Sequence, residues 1–359
     1  MEEMQQLKNQ LTVVITSSPV PSHPSDQLLE VVLRSFSLIP GLCSCRTLVV
    51  CDGCRAHAAG ARPRPRQGVY APDAVQRYET YKHAIAAKAA AGVFPYNNVE
   101  VLALPTRHGF AFAIKAALEH VVTPTVMIVH HDQRFIRPIN LHAMVHLLTS
   151  ATGGGTSGYK YFGFPSRGTV KYASQALGKH GIDVNSFACS LGSILERRLP
   201  VDASPSTCRT DTSTHVAAST ATPDRAECHE ECVPRPRLLP LLSWYDRTHV
   251  VLTEHYRTVL STGVARKGSF MEDTVGQLQL AQLKRDGMSS HASFGTWLWD
   301  DSSDAAIYHI NGQNFLTPEE RASRGLPPLP PEQAQAQFGS GEWRRSQAAS
   351  NDANISGSS

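Results

Sequence analysis

Apolar and polar positions follow two periods along the first 150 residues. Leu11–Thr16 is a β-branched apolar run closed by a Ser/Pro-rich stretch, and it predicts a buried strand. Behind Ser25, a plausible N-cap, Leu28, Leu29, Val32, Leu33 and Phe36 recur at helical spacing. Residues 45–53, CRTLVVCDG, predict a second buried strand ending at Asp52-Gly53. Strand, helix and strand in that succession form a βαβ unit, which implies a parallel sheet. The alternation continues with a helix over 77–92, a strand over 99–105, a helix over 109–121, a strand over 123–132 and a helix from Asn140. The strand ends fall at 16, 52, 105 and 130. Ligands of such sheets collect outside the carboxyl ends of the strands, so loops 16–25, 52–55, 105–109 and 130–137 form the predicted site.

Beyond residue 150 the texture changes. Residues 153–164 and 186–200 predict short antiparallel strands and turns, while 200–237 is rich in Ser, Thr, Ala and Pro and predicts a mobile surface insertion. Order resumes over 238–260 and 269–287. The expected organisation is an N-terminal extension (1–10), one domain (11–334, with halves 11–150 and 151–334) and a disordered tail (335–359).

Composition narrows the classes. Of 359 residues, 41% are hydrophobic and 18% charged, which predicts a globular core. A net charge of +3 gives no reason to expect nucleic acid or an acidic membrane as partner. The local exception, ARPRPRQG (61–68), reads as an extended, solvated loop. No stretch approaches the ~20 apolar residues of a transmembrane span. The polar N-terminus is unlike a signal peptide, so a cytoplasmic protein is expected. Cys43, Cys45, Cys51 and Cys54, and Cys208, Cys228, His229 and Cys232, are two loose clusters in which free thiols are favoured over zinc.

Five segments carry a family resemblance: 13–36 (VVITSSPVPSHPSDQLLEVVLRSF), 48–53 (LVVCDG), 104–118 (LPTRHGFAFAIKAAL), 126–135 (VMIVHHDQRF) and 269–277 (SFMEDTVGQ). In order and spacing, over roughly residues 11–320, the chain resembles GT-A glycosyltransferases of the inverting family-2 type. The resemblance implies a Rossmann-like GT-A fold, a three-layer αβα sandwich with a mostly parallel central sheet. It implies transfer of a hexose from a nucleotide-diphosphate sugar to a hydroxyl of a carbohydrate or glycoconjugate, assisted by a divalent metal, Mn²⁺ or Mg²⁺. The halves then become a nucleotide-sugar-binding half and an acceptor-binding half.

Carried over position by position, Thr16, Ser17, Ser18, Asp52, Arg107, Gly109 and His131 would bind the donor. Asp132, His130 and His309 would bind metal, His130 standing where the family's D-x-D motif has its first aspartate. Histidine nitrogen suits Mn²⁺ better than Mg²⁺. Asp273 would be the general base, with Glu272 orienting it or binding acceptor hydroxyls. Trp244, Tyr245, Asp246 and Arg247 would meet the acceptor.

Each residue also has a plain structural alternative. Asp52-Gly53 can be a turn, Arg107 a solvated residue beside a helix start, and Asp132 a strand-end cap with backbone-bonded histidines. Glu272-Asp273 can serve helix stability alone, Trp244 can be core, and His309 can be an ordinary strand-end histidine. Two other functions stay open. One is a nucleotide-sugar-binding protein without turnover, suggested by the missing first aspartate. The other is a sugar-1-phosphate nucleotidyltransferase, which normally has a Gly-rich first loop that TSSPVPSHPS lacks.

Overall fold

The computed structural model describes residues 2–150, 158–191, 236–301, 304–323 and 325–338. Its strands are β1 (Leu11–Ser17), β2 (Arg46–Cys51), β3 (Arg55–Ala56), β4 (Val69–Tyr70), β5 (Val99–Ala103), β6 (Thr125–His130) and β7 (Gln133–Phe135). They continue as β8 (Tyr161–Gly163), β9 (Cys189–Ser190), β10 (Arg237–Pro240), β11 (His249–Leu252), β12 (Thr296–Asp300) and β13 (Ile307–His309).

The apolar runs form a nine-stranded sheet, ordered β5-β2-β1-β6-β11-β8-β12-β10-β9. It is parallel from β5 to β6 and again between β8 and β12. β11 runs antiparallel between β6 and β8, and β10 runs antiparallel between β12 and β9. Successive residues of a strand feed opposite layers. Val13 and Ile15 of β1, with Met127 and Val129 of β6, join Leu28, Leu29, Val32 and Leu33 of helix Gln27–Ser35. Val14, Val126 and Ile128 join Ala113, Ile114 and Ala117 of helix Phe110–Leu118 on the other face. The result is an α/β three-layer sandwich of the Rossmann-like GT-A type with a mixed, mostly parallel central sheet.

β1 is the switch point. The chain steps outward from β1 through β2 to β5, then returns to pair β6 on the other flank of β1. A crevice opens where the strand order reverses, outside the carboxyl ends of β1 and β6.

Several boundaries differ from expectation. The helix predicted over 77–92 spans Pro72–Ala90, because Pro72 sits at the start, where its missing N–H costs nothing. Residues 2–10, expected as an extension, are a helix running into β1, with Leu7 buried in the core. Helix Pro331–Phe338 carries order into the segment expected to be a disordered tail. Ala334 and Phe338, four residues apart, give it a buried face. The rest of that tail, and residues 200–235 of the expected insertion with Cys208, Cys228, His229 and Cys232, lie outside the described residues; Arg237 already opens β10. Cys43, Cys45, Cys51 and Cys54 are free, and burial pushes the Cys45 and Cys51 thiols up to about 12. Such thiols behave as small apolar groups. No helix among the described residues is long and apolar enough to cross a membrane.

Candidate active site

The crevice is a cavity of about 650 Å³, lined from the β1 end by Thr16, Ser17, Ser18 and Pro19, and from the β6 end by His130, His131 and Asp132. These two strand ends are pinned together. The His131 amide donates to the Thr16 carbonyl (3.2 Å), and the Ser17 hydroxyl meets His131 Nδ1 (3.0 Å). Tyr78 donates to the Ser17 carbonyl (3.1 Å). Burial pushes the pKa of the His131 imidazole down. Ser17 and His131 thus brace one another at the cavity floor.

Asp52, at the end of β2, is largely engaged by backbone. Its Oδ1 accepts from the amides of Gly53 (2.9 Å) and His108 (2.7 Å), and its Oδ2 accepts from Gly109 (2.9 Å). The carboxylate therefore fixes loop 105–109 first, leaving about one lone pair for a ligand. Arg107 lies across the cavity wall. It donates to the Arg66 carbonyl, it touches Gly68, and a Cβ on Gly268 would stand 2.6 Å from its Nη1.

Gly109 (φ 75°) packs backbone to backbone on Gly268, where an added Cβ would overlap Gly268 Cα and come within 2.9 Å of its nitrogen. Gly109→Ala therefore combines left-handed strain with overpacking. A stability loss of about 2–4 kcal/mol in denaturant unfolding is expected. A loss below about 0.5 kcal/mol would contradict this contact.

Asp132 and His309 come together although 177 residues separate them. β13 pairs antiparallel with β7, just beyond β6, which sets His309 opposite Gln133. Asp132 Oδ2 meets His309 Nε2 at 3.1 Å and accepts from the Gly312 amide at 3.0 Å. Asn311, left-handed at φ 65°, provides the turn before Gly312. Burial works against the Asp132 charge. The His309 bond, the neighbouring histidines and the Gly312 N–H outweigh it and hold the carboxyl well below the usual range. The same bond raises the His309 pKa.

Two donors 3.1 Å apart suit adjacent positions on an ion with bonds of about 2.1 Å, whose neighbouring ligands stand roughly 3 Å apart. In spacing, Asp132 and His309 would be compatible with two ligands of one divalent ion. His130 does not join them as expected, because its Nε2–H is spent on the Asp246 carbonyl and its ring stacks on Phe110 (4.7 Å). Burial pushes its pKa down. Among the described residues no group of three His, Cys, Asp or Glu side chains is placed to hold a metal.

Asp273 reaches the same cavity from the opposite half of the chain. Residues Glu272–Gly276 form a single wide π-turn leading into helix Gln277–Asp286, and such turns often mark functional positions. Ser269 does not cap this helix; its hydroxyl closes its own turn by donating to the Arg266 carbonyl (2.7 Å). Glu272 is partly buried, and burial raises its pKa.

The expected acceptor group divides. Trp244 is 1% exposed, packed against Tyr161 and Tyr256, so it is a core residue with no face to offer a sugar. Asp246 is 6% exposed and accepts from the Glu272 amide (2.9 Å) through Oδ2, while its Oδ1 has no partner among the described residues. Burial pushes its carboxyl up to about 8. Tyr245 and Arg247 lie close enough to influence Glu272 electrostatically but do not line the cavity. Arg247 is fixed by donating to Ser166 Oγ (2.7 Å).

The sequence reading missed Phe110, Phe270, Gly268, Tyr70, Gln313 and Arg66, all of which line the cavity. The glycine and aromatic pattern around the Glu-Asp pair could have pointed to Gly268 and Phe270. Loop 61–68, read as merely solvated, instead presents Pro65, Arg66 and Gly68 to the cavity, because the β3–β4 ladder folds it back.

No protein-family model and no curated protein matches the chain. Solved structures match at low identity. A Mycobacterium tuberculosis glucosyl-3-phosphoglycerate synthase, in complex with Mn²⁺, UDP and glucosyl-3-phosphoglycerate, is 14% identical, covering 90% of this chain and 85% of that one at a TM-score of 0.37. The mannosyltransferase PcManGT from Pyrobaculum calidifontis, in complex with GDP-Man and Mn²⁺, is 16% identical, covering 44% and 36% at a TM-score of 0.26. S. aureus TarS is 13% identical, covering 44% and 22% at a TM-score of 0.27. The match thus spans about a third of PcManGT and about a fifth of TarS.

Proposed function

We propose that the protein is a glycosyltransferase that moves a sugar from a nucleotide-diphosphate donor to a hydroxyl acceptor with inversion. One observation carries the reading: Asp132 and Asp273, from opposite halves of the chain, line a single cavity at the switch point of a GT-A type sheet. Thr16, Ser18, Gly109 and the free lone pair of Asp52 would receive the nucleoside, and Arg107 would add positive charge. Asp132 and His309 would hold Mn²⁺ or Mg²⁺, which when bound supplies Lewis-acid stabilisation to the leaving diphosphate. Asp273 would take the proton of the attacking hydroxyl as the sugar is displaced in one step. Glu272, half-buried and tied by its amide to Asp246, would keep Asp273 in place.

A thermal-shift series with UDP, GDP, CDP and dTDP, each with Mn²⁺, Mg²⁺ or EDTA, tests this. Ligand present at 100 times its Kd stabilises by about 2.7 kcal/mol, enough to read as a shift of a few degrees. One nucleotide should respond more strongly with metal, and Asp132→Asn should remove the metal-dependent part. No response to any nucleotide, or an unchanged metal effect in Asp132→Asn, would overturn the assignment. A second reading, donor binding without turnover, is favoured by the withdrawal of His130 from the metal set. It predicts the same shifts with no consumption of a sugar nucleotide.

A further inference from the structure

The cationic part of the cavity lining, Arg66 and Arg107, continues into exposed basic residues on the same loops. Three loops meet there around Arg107: its guanidinium holds the Arg66 carbonyl, its side chain lies on Gly68, and its Nη1 abuts Gly268. Gly268 is locked in turn by donating to the His108 carbonyl (3.0 Å) and by the Gly109 contact. Between Asp52 and Asp73, and again between Glu254 and Glu272, the chain has no acidic residue. The first stretch carries Arg62, Arg64 and Arg66, and the second Arg266 and Lys267; all five are exposed. With Arg107 they make six cations with no carboxylate partner among the described residues, while nearby Asp52 is occupied by backbone amides. On a chain of net charge +3, five exposed cations thus sit on the two chain segments that supply Pro65, Arg66, Gly68, Gly268 and Phe270 to the cavity.

The patch borders the acceptor's approach. Lys267 leads through Gly268 and Phe270, both on the cavity wall, to Asp273. Phe270 is 48% exposed and stands beside Phe110 (5.4 Å between ring centroids), offering an apolar face next to the cations. We propose that the acceptor is an anionic carbohydrate chain, bearing carboxylate, phosphate or sulfate groups, held by this rim with its reactive hydroxyl at Asp273. The inference rests on the transferase reading for the role of Asp273, but the rim's charge stands independently of it. A sugar ring on Phe270 flanked by anionic groups on Arg62, Arg64, Arg266 and Lys267 satisfies both surface types. A membrane is disfavoured because Phe270 is the one exposed large apolar side chain on these loops among the described residues.

The test is direct binding by calorimetry of a heparin-derived hexasaccharide, maltohexaose, phosphatidylserine vesicles and a single-stranded oligonucleotide, each at 50 and 300 mM salt. The sulfated hexasaccharide should bind, lose about tenfold or more in affinity at the higher salt, and outcompete the other three. A variant with Arg62→Ser, Arg64→Ser, Arg266→Ser and Lys267→Ser should lose at least tenfold in that affinity while its melting and nucleotide affinity stay unchanged. Equal binding of maltohexaose, unaltered binding by the variant, or tighter binding of vesicles or oligonucleotide would overturn the proposal. Glycan binding without any nucleotide response would sustain the rim and remove the transferase reading. Nucleotide response without glycan binding would do the reverse.

Discussion

Asp273→Asn is expected to lower sugar transfer by about 10²–10⁴-fold, the range that a positioned general base contributes. Asn has nearly the same size and keeps an oxygen acceptor, but it cannot take a proton at neutral pH. Asp273 comes to the cavity from the other half of the chain than the β1 and β6 ends, and donor KM and nucleotide affinity should stay within about twofold. That split between kcat and binding separates loss of the base from loss of the site. Glu272→Gln should cost less, about tenfold, because Glu272 is held by its backbone amide and does not line the cavity. Turnover is measured as release of the nucleotide diphosphate from whichever donor stabilises the protein. Activity within threefold of the parent in Asp273→Asn would remove this carboxylate from the chemistry.

The frame of this site is written locally and its filling is not. Runs such as Leu11–Thr16 and 123–132 predict β1 and β6 because period and composition are properties of neighbouring residues. The carboxyl-end rule then places Asp52, Arg107, Asp132 and their loops on one edge without any motif. What the pattern cannot carry is the partner of each polar atom. Asp52 in VVCDG gives no hint that three amides will occupy it, since two of them come from loop 105–109. His130 looks like a ligand until the Asp246 carbonyl, 116 residues on, accepts a hydrogen bond from its Nε2–H. Trp244 and Phe270 are both aromatics among polar residues in sequence. Only the packing of Tyr161 and Tyr256 sends one to the core and leaves the other at the mouth. The Arg/Pro loop reads as solvated because its seat on Arg107 depends on Gly68 and Gly268, two hundred residues apart.

Asp246→Asn is expected to stabilise the protein, and more so as pH rises. The folded-state pKa of about 8 lies far above the ordinary value of about 3.9, chiefly through burial and, secondarily, the charges of Glu272 and Asp273. Between those values the folded chain holds a proton that the unfolded chain has released. Wild-type stability is therefore fully present below about pH 4 and declines as pH rises toward 8. At about 1.4 kcal/mol per unit, the deficit reaches roughly 3–5 kcal/mol between pH 7 and 8. The groups acting on or beside this carboxyl are Glu272 and Asp273 of the π-turn, Tyr161 of β8 and Tyr256 on the adjoining helix. Of these, only the two acids add to the deficit, so Asp246→Asn/Glu272→Gln should gain less than the sum of its parts. Asn has no proton to lose and still offers an oxygen to the Glu272 amide, whereas Asp246→Leu breaks that bond and should destabilise at every pH. Urea unfolding at pH 4.5, 7 and 8 should show parent and Asp246→Asn coinciding in acid and diverging upward. Parallel curves would mean that the carboxyl ionises normally, returning Asp246 to the acceptor side of the site.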